Sequence, residues 1–166
     1  EVCAIRHVHR FSKYRGYLDT FRFDGPFEDV EQCFDVVASD ACMGAHRHID
    51  NVRRDLHKAL LTFRLCKSGA CSSGAWGSGA FGGSVAHGFL KQLLAAAHNS
   101  TTLHYSAMEN DRNTLVTSLL AECAGKTVGK VAQSLFFYSN LSEARAPFED
   151  IFLKHMRGEI SDESIC

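Results

Sequence analysis

Histidine and cysteine carry most of the chemistry that this sequence could perform. His7-Val8-His9 and His46-Arg47-His48 are both His-x-His pairs, with His57 further along. On a strand the first pair shares a face and can grip one ion; on a helix His46, Asp50 and His57 fall along one stripe. Imidazole sets of this kind suit zinc or copper, which makes His46, His48 and His57 the candidate metal ligands; apart from such an ion no cofactor is called for. Arg53 shares that stripe, and Arg6, Arg10, Arg47 and Arg54 crowd both clusters. Guanidinium groups repel a cation, so ordinary surface or half-buried histidines are the competing reading. Arg6, His7, His9, Arg10, Lys13 and Arg15 also form a local positive stretch suited to a sulfated glycan or another acidic surface. Asp19, Asp24, Glu28 and Asp29 are close enough in sequence to neutralise it instead.

The seven cysteines, Cys3, Cys33, Cys42, Cys66, Cys71, Cys123 and Cys166, are scattered along the chain rather than paired in zinc knuckles. Dispersed cysteines staple distant segments in oxidising compartments. Seven is odd, so one is left for an intermolecular bond or a free thiol, with Cys166 the first candidate for a covalent link to another protein. The tripeptides starting at Asn99 and Asn140 are glycosylation sequons placed just past apolar runs. The chain opens on Glu1 without a basic and apolar leader, as a mature secreted protein would. These features together predict a secreted, extracellular glycoprotein.

Two stretches resemble phosphate-binding patterns. Gly77-Ser78-Gly79-Ala80-Phe81-Gly82 matches the dinucleotide glycine fingerprint and precedes a helix. The fingerprint requires a buried strand just before it, and Ser/Gly-rich residues around Cys71 predict none; no acidic residue stands at the spacing that would hold a ribose. Gly125-Lys126-Thr127 ends like a phosphate-binding loop, but Leu120 occupies the place of its first glycine. No serine lies in a nucleophile-elbow context.

The elements that must position these groups read as mostly helical. Ile5 to Phe11 and Tyr17 to Phe23 alternate like two short strands, with an irregular helix over Ile5 to Tyr14 as the alternative. Asp24-Gly25-Pro26 ends that segment. Val30, Cys33, Phe34, Val37, Ala38 and Ala41 recur at helical spacing, and a second helix carries Ile49, Val52, Leu56, Leu60 and Phe63. Cys33 and Cys42 on one continuous helix would stand about 13 Å apart, too far to bridge. Residues 67–84 are dominated by glycine and serine and read as a flexible internal loop. Helices follow over Val85 to His98, Asn110 to Cys123 and Thr127 to Tyr138, then a last one from Pro147 to Gly158, and an acidic tail at 159–166.

The predicted fold is therefore mainly α: a single domain over residues 1–166, a disulfide-stapled helical bundle with a short N-terminal β-hairpin. A net charge of −1 argues against nucleic acid, and no apolar run is long enough to span a membrane. Without a catalytic motif, the leading expectation is a non-enzymatic binding or assembly module: an extracellular ligand, receptor-contact protein or complex subunit. A hydrolase or metal-binding protein built on the clustered histidines is the first alternative. A hydrophobic-ligand carrier is the second, since twelve phenylalanines could line a cavity as well as fill a core.

Overall fold

The computed structural model describes residues 1–16, 18–29, 33–66, 68–107, 109–141 and 146–161. Tyr17, Val30, Glu31, Ser142 and Cys166 thus lie outside the described residues, as does the acidic tail beyond Ser161. The chain forms two compact units, one of Cys3–Ala38 and one of Glu1–Val2 with Ser39–Cys166.

The smaller unit is built from strands. β1 (Val2–His9) pairs with β4 (Cys33–Ser39), and β2 (Ser12–Arg15) pairs antiparallel with β3 (Arg22–Pro26). A bulge between Ser12 and Tyr14 shifts the register before Tyr14 meets Phe23. The helix predicted from Phe27 onward is replaced by β4. Phe34, Val36 and Val37 are aromatic or β-branched and suit a pleated strand, while an apolar run this short satisfies helical spacing by coincidence. A one-helix separation of Cys33 and Cys42 is thereby removed.

The larger unit is mixed α/β. Its helices are α1 (Ile49–Arg64), α2 (Val85–His98), α3 (Asn110–Cys123), α4 (Val128–Asn140) and α5 (Phe148–Arg157). Their ends follow local chemistry. The Ser84 hydroxyl accepts the His87 N–H (3.4 Å) at the start of α2, Thr127 accepts the Lys130 N–H (3.2 Å) at the start of α4, and Gly158 closes α5 at φ +76°. α1 packs on α2, α4 on α5, and α2 also touches α3, α4 and α5. Phe152, Leu90, Leu119 and Leu135 are fully buried where these helices meet.

The all-helical reading fails most consequentially around α2. β5 (Ala70–Gly74) lies inside the segment predicted as a flexible loop, and β6 (Thr102–Ser106) follows α2. The two strands run parallel in register from Ala70 opposite Thr102 to Gly74 opposite Ser106, so β5, α2 and β6 form a βαβ unit. A side chain on Gly74 would place its Cβ 2.9 Å from the Ser106 carbonyl oxygen. β5 is built of small residues throughout, and these conceal it as a strand in the sequence.

The stapled bundle also fails. Cys3, Cys33, Cys42, Cys71 and Cys123 are free thiols. With no disulfide among the described residues, the cysteines give no support to secretion. The Asn99 side-chain amide donates to the carbonyls of Leu60 (3.2 Å) and Ala95 (2.8 Å), tying the end of α2 to α1. Asn140 is exposed at the end of α4.

Candidate functional site

The βαβ unit puts the glycine run where a backbone anion site is built. Strand β5 ends at Gly74, α2 begins after Ser84, and the turn between them holds Gly77-Ser78-Gly79-Ala80-Phe81-Gly82-Gly83. The strand required by the glycine fingerprint is therefore present. The turn is pinned by its own backbone: the Trp76 N–H donates to Gly74 (2.7 Å), Ser78 to Ala75 (3.1 Å), Gly82 to Gly79 (2.9 Å) and Gly83 to Gly77 (2.9 Å). Among the described residues, the N–H groups of Gly79, Ala80 and Phe81 find no hydrogen-bond partner. Among the described residues the N–H groups of Val85 and Ala86, at the start of α2, are unpaired too, and the helix adds the positive end of its dipole.

The glycines are dictated by space as well as by conformation. Gly77 (φ +75°) would put a Cβ 2.7 Å from the Ala41 methyl carbon. At Gly83 a Cβ would meet the Gly77 carbonyl oxygen at 2.7 Å and the His46 ring at 3.1 Å. Gly88, one turn into α2, faces the Trp76 carbonyl oxygen at 2.8 Å from a Cβ position. Trp76 is anchored in turn, its indole N–H donating to the Ser39 carbonyl (2.9 Å).

Beneath this turn lies a buried polar cluster. Asp55 of α1 is fully enclosed; one carboxylate oxygen accepts the Cys42 N–H (2.9 Å) and an Arg54 N–H (3.0 Å), and the other accepts the Lys91 ammonium (2.8 Å) and the Cys42 thiol (3.3 Å). Burial alone would raise the Asp55 pKa, but the Lys91 ammonium and the Cys42 donors prevail and hold it below the usual carboxylate range. Burial, then the Asp55 carboxylate, pushes the Cys42 thiol up. His46 bridges the cluster to the turn. Its Nδ1 is 3.3 Å from Cys42 Sγ, and its Nε2–H donates to the Phe81 carbonyl at 2.5 Å. Lys91 also stands 5.8 Å from the centre of the Trp76 ring. At the rim, Asp40 is paired with Lys58 and with Arg54 (2.6 Å), and those two cations hold its carboxyl far below the usual range. A cleft between the turn and the cluster is lined by His46, Asp55, Trp76, Gly77, Gly83, Ser84, His87 and Lys91.

His87 closes the inner wall. It is 3% exposed, its ring packs against Phe148 (4.6 Å between centroids) and edge-on to Tyr138 (6.3 Å), and its Nε2 has no partner among the described residues. Burial, with the Lys91 charge nearby, lowers its pKa to about 3.

The residues singled out from sequence are only partly drawn together. Of His46, His48 and His57, only His46 enters the cluster; its metal-ligating neighbours are Cys42 and Asp55. His48 is exposed and 3.8 Å from Asp50, and His57 is exposed on α1. In the smaller unit, Arg6 pairs with Asp35 (2.5 Å), Lys13 with Glu28 (3.0 Å) and Arg15 with Asp24 (3.2 Å). Asp35 also accepts the His7 backbone N–H (3.1 Å), and Arg10 lies over the rings of Tyr14 (5.5 Å) and Phe27 (4.9 Å). The His9 ring lies tilted against Phe11, with centroids 6.3 Å apart. Asp55, Lys91 and Trp76 were not singled out, because nothing local in sequence marks a carboxylate, an ammonium and an indole from α1, α2 and a turn as neighbours. The glycine run was the legible signal.

Comparison with known proteins agrees with this geometry. A family model described as Poly (ADP-ribose) glycohydrolase (PARG), Macro domain fold, matches residues 1–114, which include β1 through β6 and the whole cluster. No curated protein matches the chain. The family match, with the mixed α/β fold and the free thiols, overturns the expectation of a secreted non-enzymatic module and points to hydrolase-like function.

Proposed function

The chain belongs to the poly(ADP-ribose) glycohydrolase family, and from that premise we propose that the turn from Ala75 to Ser84 binds the diphosphate of an ADP-ribose unit, so that its polymer is held for hydrolysis of a glycosidic bond. One observation carries the reading: a parallel strand, a glycine turn with unpaired N–H groups at Gly79, Ala80 and Phe81, and the N-terminus of α2 follow one another without interruption. Backbone donors and a helix dipole aimed at one place favour a phosphate and need no basic side chain at the surface. The near-neutral net charge, which argued against a nucleic-acid footprint, is compatible with this mode of anion binding.

The polar cluster supports the turn rather than the bond-breaking step. Glycoside hydrolysis needs a carboxyl group able to give a proton to the leaving oxygen. Asp55 is unsuited to that role, since Lys91, Arg54 and the Cys42 N–H all stabilise its ionised form. Asp55 is a positioning residue: it fixes Cys42, which faces His46, and His46 holds the Phe81 carbonyl.

Calorimetric titration with ADP-ribose, with AMP as comparison, tests the proposal. The expected result is 1:1 binding that is weakened at least tenfold when the second phosphate is missing, and at least tenfold by Gly83→Ala, because its Cβ collides with the Gly77 carbonyl that shapes the turn. Equal affinity for the two ligands, or wild-type affinity in Gly83→Ala, would overturn it. Release of ADP-ribose from the polymer is the corresponding readout for hydrolysis.

A further inference from the structure

We propose that Cys42, His46 and Asp55 form a site for a single borderline-soft divalent cation, zinc foremost, seated under the glycine turn. The ligand atoms are already assembled. One sulfur, one imidazole nitrogen and one carboxylate oxygen lie within 4.8 Å of one another. Tetrahedral zinc with a Zn–S bond of about 2.3 Å and a Zn–N bond of about 2.0 Å sets the S···N separation at roughly 3.5 Å. Cys42 Sγ and His46 Nδ1 are 3.3 Å apart, and Cys42 Sγ and Asp55 Oδ2 are 3.3 Å apart, so these two pairs need open by only a few tenths of an ångström, while the His46 nitrogen and Asp55 oxygen, within 4.8 Å, have to close by up to about 1.5 Å.

Three further features favour an ion. The first is orientation. The Phe81 carbonyl can only accept, so Nε2 of His46 carries the proton, and in the neutral ring Nδ1 presents its lone pair to Cys42. A metal-bound histidine characteristically has its second nitrogen fixed in this way by a carbonyl or carboxylate. The second is a shortage of protons. The single thiol proton of Cys42 faces two acceptors, His46 Nδ1 and Asp55 Oδ2, and can serve only one of them at a time; a cation serves both. The third is access: a small cleft is lined by two of the three ligand residues, His46 and Asp55, together with Gly83.

Lys91 opposes the ion, because its ammonium stands 2.8 Å from Asp55 Oδ2. Cys42 offsets part of this. On binding, the S–H bond breaks, an S–metal bond forms, and the proton leaves to solvent, so the new thiolate offsets half of the added charge. One net positive charge remains beneath the turn. The site itself is independent of the nucleotide reading and would stand if ADP-ribose did not bind.

Cobalt(II) titration of tag-free protein, stripped with a chelator and kept reduced, is the test. The expected result is one equivalent bound, with thiolate-to-cobalt charge-transfer absorption, release of one proton per metal and displacement by zinc. Cys42→Ser abolishes the charge-transfer band, His46→Ala weakens affinity at least tenfold, and Cys71→Ser leaves both unchanged. X-ray absorption on the zinc-loaded wild type provides a readout that needs no variant: one sulfur with nitrogen and oxygen completing the shell. No stoichiometric binding, a band that survives Cys42→Ser, or two or more sulfurs at the metal would overturn the site.

Discussion

His87 should make the protein sensitive to mild acid, and the size of the effect follows from its surroundings. Its ring is enclosed by Phe148 and Tyr138, its Nε2 has no partner among the described residues, and the charged or titratable groups near it are Lys91, Asp55 and His46. Protonation in place is opposed by burial, then by Lys91, and the folded pKa falls from 6.5 to about 3. In the unfolded chain His87 keeps its ordinary value. Between pH 6.5 and 3 the unfolded state therefore binds the extra proton and the folded state does not, so stability falls as pH falls through that window. From pH 7 to pH 5 the loss assigned to this one residue is about 2 kcal/mol. Urea unfolding at both pH values, on the wild type and on His87→Leu, isolates it. Leucine is close in volume and cannot titrate, so the variant should lose about 2 kcal/mol less than the wild type over that interval, while at pH 7 the two differ by no more than about 1.5 kcal/mol. Parallel curves for the two proteins would refute the argument.

Three other outcomes are expected. Lys91→Met leaves the Asp55 carboxylate buried beside Arg54 alone and should destabilise the fold by about 3–5 kcal/mol in denaturant unfolding, with much of the loss recovered in the Lys91→Met, Asp55→Asn pair. Gly79→Ala, where a Cβ meets nothing within 4 Å, should keep wild-type ADP-ribose affinity, whereas Gly77→Ala at φ +75° against Ala41 should lose at least tenfold. Phe152→Ala should cost about 3–5 kcal/mol in thermal or urea unfolding, because its ring is fully buried among the helices.

Helices were the legible part of the sequence. The spacing that places one over Val85 to His98 matches α2, and Gly158 ends α5 as a glycine after a last apolar turn should. The N-terminal alternation between Ile5 and Phe23 overlaps β1 and β3, but the later strands were not legible, for three different reasons. β4 mimics a helical stripe over seven residues; β5, Ala-Cys-Ser-Ser-Gly, lacks the bulky residues that mark strands; β6 is too short to show more than one alternation. β5 matters most among them, because the glycine fingerprint depends on a strand that these small residues conceal. The polar cluster was illegible for a reason no pattern can repair: Cys42, Asp55 and Lys91 are 13 and 36 residues apart in consecutive steps and meet only through the packing of α1 on α2. Cysteine dispersion was the misleading signal: no two described cysteines are bridged, and Cys123 is a buried thiol pushed up to about 11 first by burial and then by Glu122.

Gly88 bears on how a ligand arrives. A glycine inside a helix sacrifices roughly 1 kcal/mol of helix stability relative to alanine. Here the missing side chain lets the Trp76 carbonyl rest on the first turn of α2, while the indole on the same residue is tied to Ser39. The glycine turn is thus fastened to its helix from below and cannot swing away as a gate. A molecule entering from the open side meets donors already in place, so association should proceed in one kinetic phase whose observed rate rises linearly with ligand concentration and shows no plateau. Trp76, the sole tryptophan, supplies the fluorescence with which stopped-flow mixing can follow that encounter.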